Sequence, residues 1–95
     1  MTRSDDVIEY EAPDQPLRRI RILVDPEDTG AKHIALGMSI YGMGEKASWH
    51  KHVGEETIVI IHGKGRFSTR EQSVEVTPGT VLYFPPGEEH MLENI

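Results

Sequence analysis

GEKASWHKHVGEETIVIIHG, residues 44–63, holds two histidines one residue apart, His50 and His52, followed by the carboxylate of Glu56. On a β-strand successive side chains point to opposite faces, so His50 and His52 share a face, Lys51 takes the other, and the two histidine Cα atoms lie about 6.5–7 Å apart. Val53-Gly54 lets the chain bend, and Glu56 then opens the next strand with the parity of Ile58 and Ile60. Glu56 is thereby expected among apolar side chains, where a lone carboxylate is costly and a cation compensates it. Glu55 is expected to point to solvent. Val59 and Ile61 are apolar as well, so both faces of this strand read as buried, with a second sheet or a second subunit behind it. By itself the pattern fits a polar loop as well as a metal site.

The surrounding chain reads as short strands. LRRIRILVD places Ile20, Ile22 and Val24 on one face and Arg19 and Arg21 on the other, a solvated strand face rather than a ligand anchor. DPEDTG (25–30) is a turn cluster matching no calcium loop, and HIALGMSIYGMG alternates Ile34, Leu36, Met38 and Ile40 with small or polar neighbours. TIVIIHGKGRFST predicts a hairpin turning at Gly63-Lys64-Gly65, and SVEVTPGTVLYFPPG two strands separated by Thr-Pro-Gly. Residues 1–16, with two prolines and five acidic residues, predict an extended arm whose VIEYE segment can add as a strand. Residues 17–95 then form the domain proper. No helical period competes, so the expectation is an all-β sandwich or barrel.

Composition narrows the function classes. Ninety-five residues are one domain's worth, and a net charge of −6 with 37% hydrophobic residues is globular but lacks the basic excess that nucleic acid or anionic membranes require. No apolar run resembles a signal peptide or approaches the roughly 20 residues of a membrane-spanning helix, so a cytoplasmic location is the default expectation. With no cysteine in the chain, disulfides, thiolate nucleophiles and sulfur-ligated metals are excluded.

A second stretch changes the weight of the first. GTVLYFPPGEEHMLEN, residues 79–94, separates Gly79, Pro85, Gly87, His90 and Asn94 by five, one, two and three residues, while the first stretch separates Gly44, His50, His52, Glu56 and Gly63 by five, one, three and six. These are the paired motifs of the cupin superfamily; all ten positions match, and the chain resembles a small single-domain, cupin-2 type member. The resemblance implies a double-stranded β-helix, the cupin jelly-roll barrel, with a metal near one mouth. It implies His50, His52, Glu56 and His90 as ligands, the glycines and Pro85 as turn formers, and Asn94 as structural. Three imidazoles and one carboxylate suit Fe, Mn, Ni, Co, Cu or Zn, and in an octahedral geometry they leave two adjacent positions for substrate or dioxygen.

Other residues receive weaker assignments. Glu88 and Glu89 precede His90 and are candidate acid or base groups, with solvated loop charges as the plainer reading. Met38, Ile40, Ile58, Ile60, Tyr83 and Met91 are candidates for lining a small apolar substrate pocket, with core packing the plainer reading for each. Trp49 has outward parity, His33 and His62 read as polar turn residues, and the direction of Arg66 and Arg70 is open. Cupin barrels continue past the second motif, whereas this sequence stops one residue after Asn94. A shortened barrel is therefore expected, its edge covered by the VIEYE arm, in cis or exchanged within a homodimer. The functional expectation is a metal-dependent enzyme on a small organic substrate, dioxygenase-type first and isomerase or lyase next. The alternatives are a non-catalytic sugar or small-molecule binding module and a metal-bearing scaffold.

Overall fold

In the computed structural model, residues 7–12, 15–25, 27 and 29–95 are described, the side chains of residues 15–17 excepted. The expectations for residues 1–6, Pro13, Asp14, Pro26 and Asp28 lie outside the described residues. Eight strands follow one another: β1 (Tyr10–Ala12), β2 (Gln15–Val24), β3 (Leu36–Tyr41), β4 (Glu56–Val59), β5 (Gly65–Thr69), β6 (Ser73–Val76), β7 (Val81–Phe84) and β8 (His90–Asn94). No helix is present among the described residues, and so none that could cross a membrane. The chain divides into two compact units, Met1–Gly42 and Met43–Ile95.

The first unit is an antiparallel sheet in the order β1-β2-β3. β1 pairs with β2 of its own chain, Tyr10 opposite Ile20 and Glu11 opposite Arg19, so the arm adds in cis. The Glu9 carboxylate bridges Arg19 Nη1 at 3.2 Å and Arg21 Nη2 at 3.1 Å, fastening the segment before β1 to β2. The register of β2 on β3 sets Arg19 opposite Ile40 and Arg21 opposite Met38, while Ile20 faces Ser39 and Ile22 faces Gly37. Directly opposed residues share a face. Met38 and Ile40 therefore lie on the arginine-bearing face, not with Ile20 and Ile22; alternation within each strand was legible, but the register between strands was not.

The second unit contains two sheets, β4-β7 and β6-β5-β8. The hairpin expected at Gly63-Lys64-Gly65 does not form: β4 pairs with β7, β5 pairs with β6 and β8, and the Gly63 region carries the chain from one sheet to the other. Core packing gives the reason. Ile58 and Ile60 from one layer, with Leu82 and Phe84, meet Phe67, Val76 and Leu92 from the other; a hairpin would have set β4 and β5 side by side in one layer. Each large apolar side chain fully removed from water contributes about 1.5–3 kcal/mol. Ile58 and Ile60 thus pack, partly buried, against the core. The opposite face of β4-β7 is open in the single chain, with Val59 54%, Ile61 67%, Val81 62% and Tyr83 55% exposed; of the two expected covers, a second sheet or a second subunit, the single chain does not supply the first.

β8 has neighbours on both sides. β5 lies along one edge, and residues 46–50 run antiparallel along the other through the bridges Lys46 to Glu93 and His50 to His90. No bare apolar edge remains at β8, so the expected covering by the VIEYE arm is not needed there. Between the two bridges, residues 47–49 oppose only residues 91 and 92. That extra residue is a β-bulge, a device that bends a strand and re-aims its side chains.

Candidate metal centre

Three backbone features bring the candidate ligands together. His50 N–H donates to the His90 carbonyl at 3.1 Å and His90 N–H returns the bond at 2.9 Å, a reciprocal pair that sets the two residues directly opposite each other. Gly87 N–H donates to the His52 carbonyl at 2.8 Å, and this requires the turn after Pro85, where Gly87 adopts φ +82°; a side chain is strained in that left-handed region. Glu56 opens β4 opposite Phe84. His50 and His52 occupy a bulged, bent segment rather than a continuous strand, yet their rings still converge, with centroids 5.2 Å apart; His50 and His90 are 4.3 Å apart.

One donor atom from each of His50, His52, Glu56 and His90 lies within 4.8 Å of every other. Ligands about 2.1 Å from a common ion sit at most about 4.2 Å apart, so the four donors are near the spacing that a shared ion requires. Glu56 stands between two imidazoles, with Oε2 3.1 Å from His52 Nε2 and Oε1 2.9 Å from His90 Nε2. His90 is 1% exposed, whereas the His52 side chain is about half exposed. The cluster therefore runs from a sealed end to an open one, where a groove is lined by Lys51, His52, Val53, Pro86 and Gly87.

The hydrogen-bond pattern specifies which nitrogens are free to ligate. His50 Nδ1 lies 2.8 Å from the Ser48 carbonyl and His90 Nδ1 lies 2.9 Å from the Glu88 carbonyl. A carbonyl only accepts, so both Nδ1 atoms carry hydrogen and a neutral ring keeps its lone pair on Nε2. His90 Nε2 then faces Glu56 Oε1, an acceptor against an acceptor, and both atoms are buried without a hydrogen bond. Such an arrangement is costly unless a cation or proton lies between the two atoms. The donor set fits a divalent transition metal.

Aromatic packing fixes the buried end. Phe84 stacks on His90 with centroids 4.3 Å apart and planes 22° apart, and Phe67 stacks on Phe84 at 4.7 Å. Sequence reasoning missed both phenylalanines as supports. The available signal was the shared parity of Phe84 and Leu82, which becomes decisive only once the pairing of β4 with β7 is known. Tyr83, expected in the pocket, belongs to the opposite face: it pairs with Thr57 and donates from its hydroxyl to Glu55 Oε2 at 2.6 Å. The hydrogen bond to Glu55, reinforced by partial burial and by the Glu55 charge, holds the phenol above its ordinary pKa. Met91 is likewise turned away, because His90 and Leu92 take the core-facing positions of β8 and alternation sends Met91 to the other face.

The remaining candidates have plain roles. The Glu89 carboxylate pairs with Arg70 at 3.1 Å, while Glu88 is exposed and its backbone carbonyl holds His90. The Arg70 guanidinium lies 3.8 Å from the centre of the Trp49 ring and Arg66 pairs with Glu93 at 3.6 Å, so both arginines are committed to these partners. His33 and His62 are exposed. Met38 and Ile40 stay on the first unit's sheet, opposite Arg21 and Arg19.

Comparison with known proteins identifies the family and the fold. The chain is 34% identical over 77 residues to an uncharacterized protein of Methanocaldococcus jannaschii, covering 80% of this chain and 62% of that protein. It is 37% identical over 49 residues to (R)-mandelonitrile lyase of Granulicella tundricola, covering 50% of this chain and 37% of the lyase; the chain thus spans less than two thirds of either relative. Among solved structures, a predicted oxalate decarboxylase from Thermotoga maritima superposes with a TM-score of 0.85 at 24% identity, covering 99% of this chain and 86% of that one. The polyketide cyclase RemF from Streptomyces resistomycificus gives 0.86 at 23% identity, covering 99% and 68%. At these identities the likeness establishes the fold, the cupin jelly roll. Residues 37–95, more than half of the sequence and including both motifs, match the cupin-domain family, and the chain belongs to it.

Proposed function

We propose that His50, His52, Glu56 and His90 hold one divalent transition-metal ion and that the chain is a metal-dependent enzyme acting on a small oxygen-bearing organic molecule. The observation that carries the reading is the buried, unbonded approach of His90 Nε2 to Glu56 Oε1 at 2.9 Å: these two acceptors are reconciled by a shared cation. When bound, the ion supplies Lewis acidity toward a carbonyl or hydroxyl oxygen and, if redox-active, access to dioxygen chemistry. The residues do the rest. His50 and His90 are oriented through their Nδ1–H bonds to Ser48 and Glu88, Glu56 supplies the negative charge, and Phe84 and Phe67 keep water from the buried end. Substrate approaches along the groove beside His52.

Two reaction classes follow. The dioxygenase-type reaction expected from the sequence stands beside lyase chemistry, which the likeness to (R)-mandelonitrile lyase over half the chain supports. Elemental analysis of the purified chain, with dioxygen uptake after anaerobic iron loading, separates them: uptake supports the first, and turnover of a hydroxynitrile or hydroxy acid without uptake supports the second. His52→Ala is expected to abolish metal occupancy and turnover together, and full occupancy in that variant would sink the ligand assignment.

We also propose a homodimer formed through the open face of β4-β7. Val59, Ile61, Val81 and Tyr83 compose an exposed apolar surface on the face of β4-β7 that is turned away from the core. Light scattering at micromolar concentration is expected to give twice the chain mass; a monomer counts against the proposal.

A further inference from the structure

Arg70 occupies a place that the proposed chemistry does not use. It follows Thr69 at the end of β5, and Thr69 pairs with His90, so Arg70 comes opposite Glu89. The turn beyond is tight: Thr69 N–H donates to the Gln72 carbonyl at 2.8 Å, and Thr69 Oγ1 accepts from the N–H groups of Glu71 and Gln72. From this turn the guanidinium reaches Glu89 Oε2 at 3.1 Å and lies over the Trp49 ring at 3.8 Å from its centre.

Trp49 immediately precedes His50, and Glu89 immediately precedes His90. Trp49 and Glu89 both meet the Arg70 guanidinium. One guanidinium therefore joins the two segments whose next residues, His50 and His90, converge at the site. Backbone pairing between these segments is discontinuous. The ladder along β8 is interrupted between Ala47 and His50 by the bulge, and it resumes at the single His50 to His90 bridge.

We propose that Arg70 is a positioning residue for the candidate metal centre, setting the separation of His50 and His90 through Trp49 and Glu89. The inference rests on the metal-centre reading above. A guanidinium suits the task because its plane lies flat on an indole while its edge presents N–H donors to a carboxylate; a lysine ammonium cannot do both. An exposed ion pair of this kind adds little to folding stability, so the consequence falls on geometry. Partners behind metal ligands typically alter affinity by about 10–100-fold when removed.

The test measures Co²⁺ affinity by competition with a chromophoric chelator, the visible Co²⁺ absorption and the metal-free melting temperature, in the full chain. The variants are Arg70→Ala, Arg70→Lys, Trp49→Ala, the Arg70→Ala/Trp49→Ala pair and Arg66→Ala. Arg66 lies on the same strand and pairs with Glu93, away from the residues adjoining His50 and His90, so it serves as the control. Expected is a loss of about 10–100-fold in Co²⁺ affinity with an altered spectrum for Arg70→Ala and Arg70→Lys, at a nearly unchanged metal-free melting temperature. Trp49→Ala is expected to behave alike, with the double variant less than additive, and Arg66→Ala to match wild type. If Arg70→Ala fails to fold, Arg70→Lys carries the test. Wild-type affinity and spectrum in the Arg70 variants, or an equal loss in Arg66→Ala, overturn the proposal while leaving the metal centre standing. A wild-type chain that binds no Co²⁺ overturns both.

Discussion

Replacing Glu56 by glutamine is expected to stabilise the metal-free protein while weakening its hold on metal. In the wild type Glu56 Oε1 and His90 Nε2 stand 2.9 Å apart, buried and without a hydrogen bond, because the ring's hydrogen is committed to the Glu88 carbonyl through Nδ1. The Glu56→Gln side chain is nearly isosteric and presents an amide N–H to that lone pair. One added buried hydrogen bond contributes about 0.5–1.5 kcal/mol, and in a domain of this size each kcal/mol moves the melting temperature by about 4–8 °C. Metal reverses the order. A ligand present at 100 times its dissociation constant stabilises by about 2.7 kcal/mol, a gain that the variant, with a neutral amide in place of an anionic ligand, largely forfeits. Thermal melts of both proteins, in chelator and in excess Co²⁺ under otherwise identical conditions, provide the assay. The variant should melt about 2–12 °C higher in chelator and lower in Co²⁺. A variant no more stable than wild type in chelator, or one that gains equally from Co²⁺, refutes the claim that Glu56 and His90 are arranged to share a cation.

Two further outcomes probe the fold and its open face. Gly65→Ala places a Cβ 2.9 Å from the Glu93 backbone oxygen and 3.3 Å from Leu92 Cδ1 and Val76 Cγ2; the oxygen belongs to β8, which pairs with β5, so a cost of about 1–3 kcal/mol is expected in denaturant titration, and wild-type stability would contradict the packing. Tyr83 is held above its ordinary pKa of 10.0 by its hydrogen bond to Glu55, with burial and the Glu55 charge behind it. A raised folded-state pKa contributes stability that is fully present below the unfolded value and lost as pH rises through the folded one. The stability difference between wild type and Tyr83→Phe is thus expected to be level below about pH 9 and to decline in alkali; a difference that grows with pH above 10 contradicts the assignment.

The legible and illegible parts of this protein divide along covalent distance. Strand existence at LRRIRILV, ETIV or VLYF follows from side-chain alternation, a property of neighbours in the chain, and the inward turn of Glu56 with the outward turn of Glu55 follows from the same alternation. His90 was legible as a companion of His50 because its spacing from Gly79, Pro85 and Gly87 matches a family pattern. Pairing was not legible. Gly63-Lys64-Gly65 has the composition of a hairpin turn, and only the need to face Ile58 and Ile60 against Phe67 across a core sends β4 and β5 into separate sheets. Tyr83 and Phe84 are adjacent aromatics of similar character, and nothing local says which one faces His90.

The sequence by itself determined an all-β chain, its cupin motifs and the identity of four residues with metal-binding chemistry, since each depends on residue type and spacing. The tertiary structure decided the register and its consequences. It paired Met38 and Ile40 with arginines, seated Phe84 under His90, and drew Trp49 and Glu89 to Arg70. It also set the His90 lone pair against the Glu56 carboxylate. These are encounters between residues far apart in the chain, whose energies depend on distances that exist only after the sheets have packed.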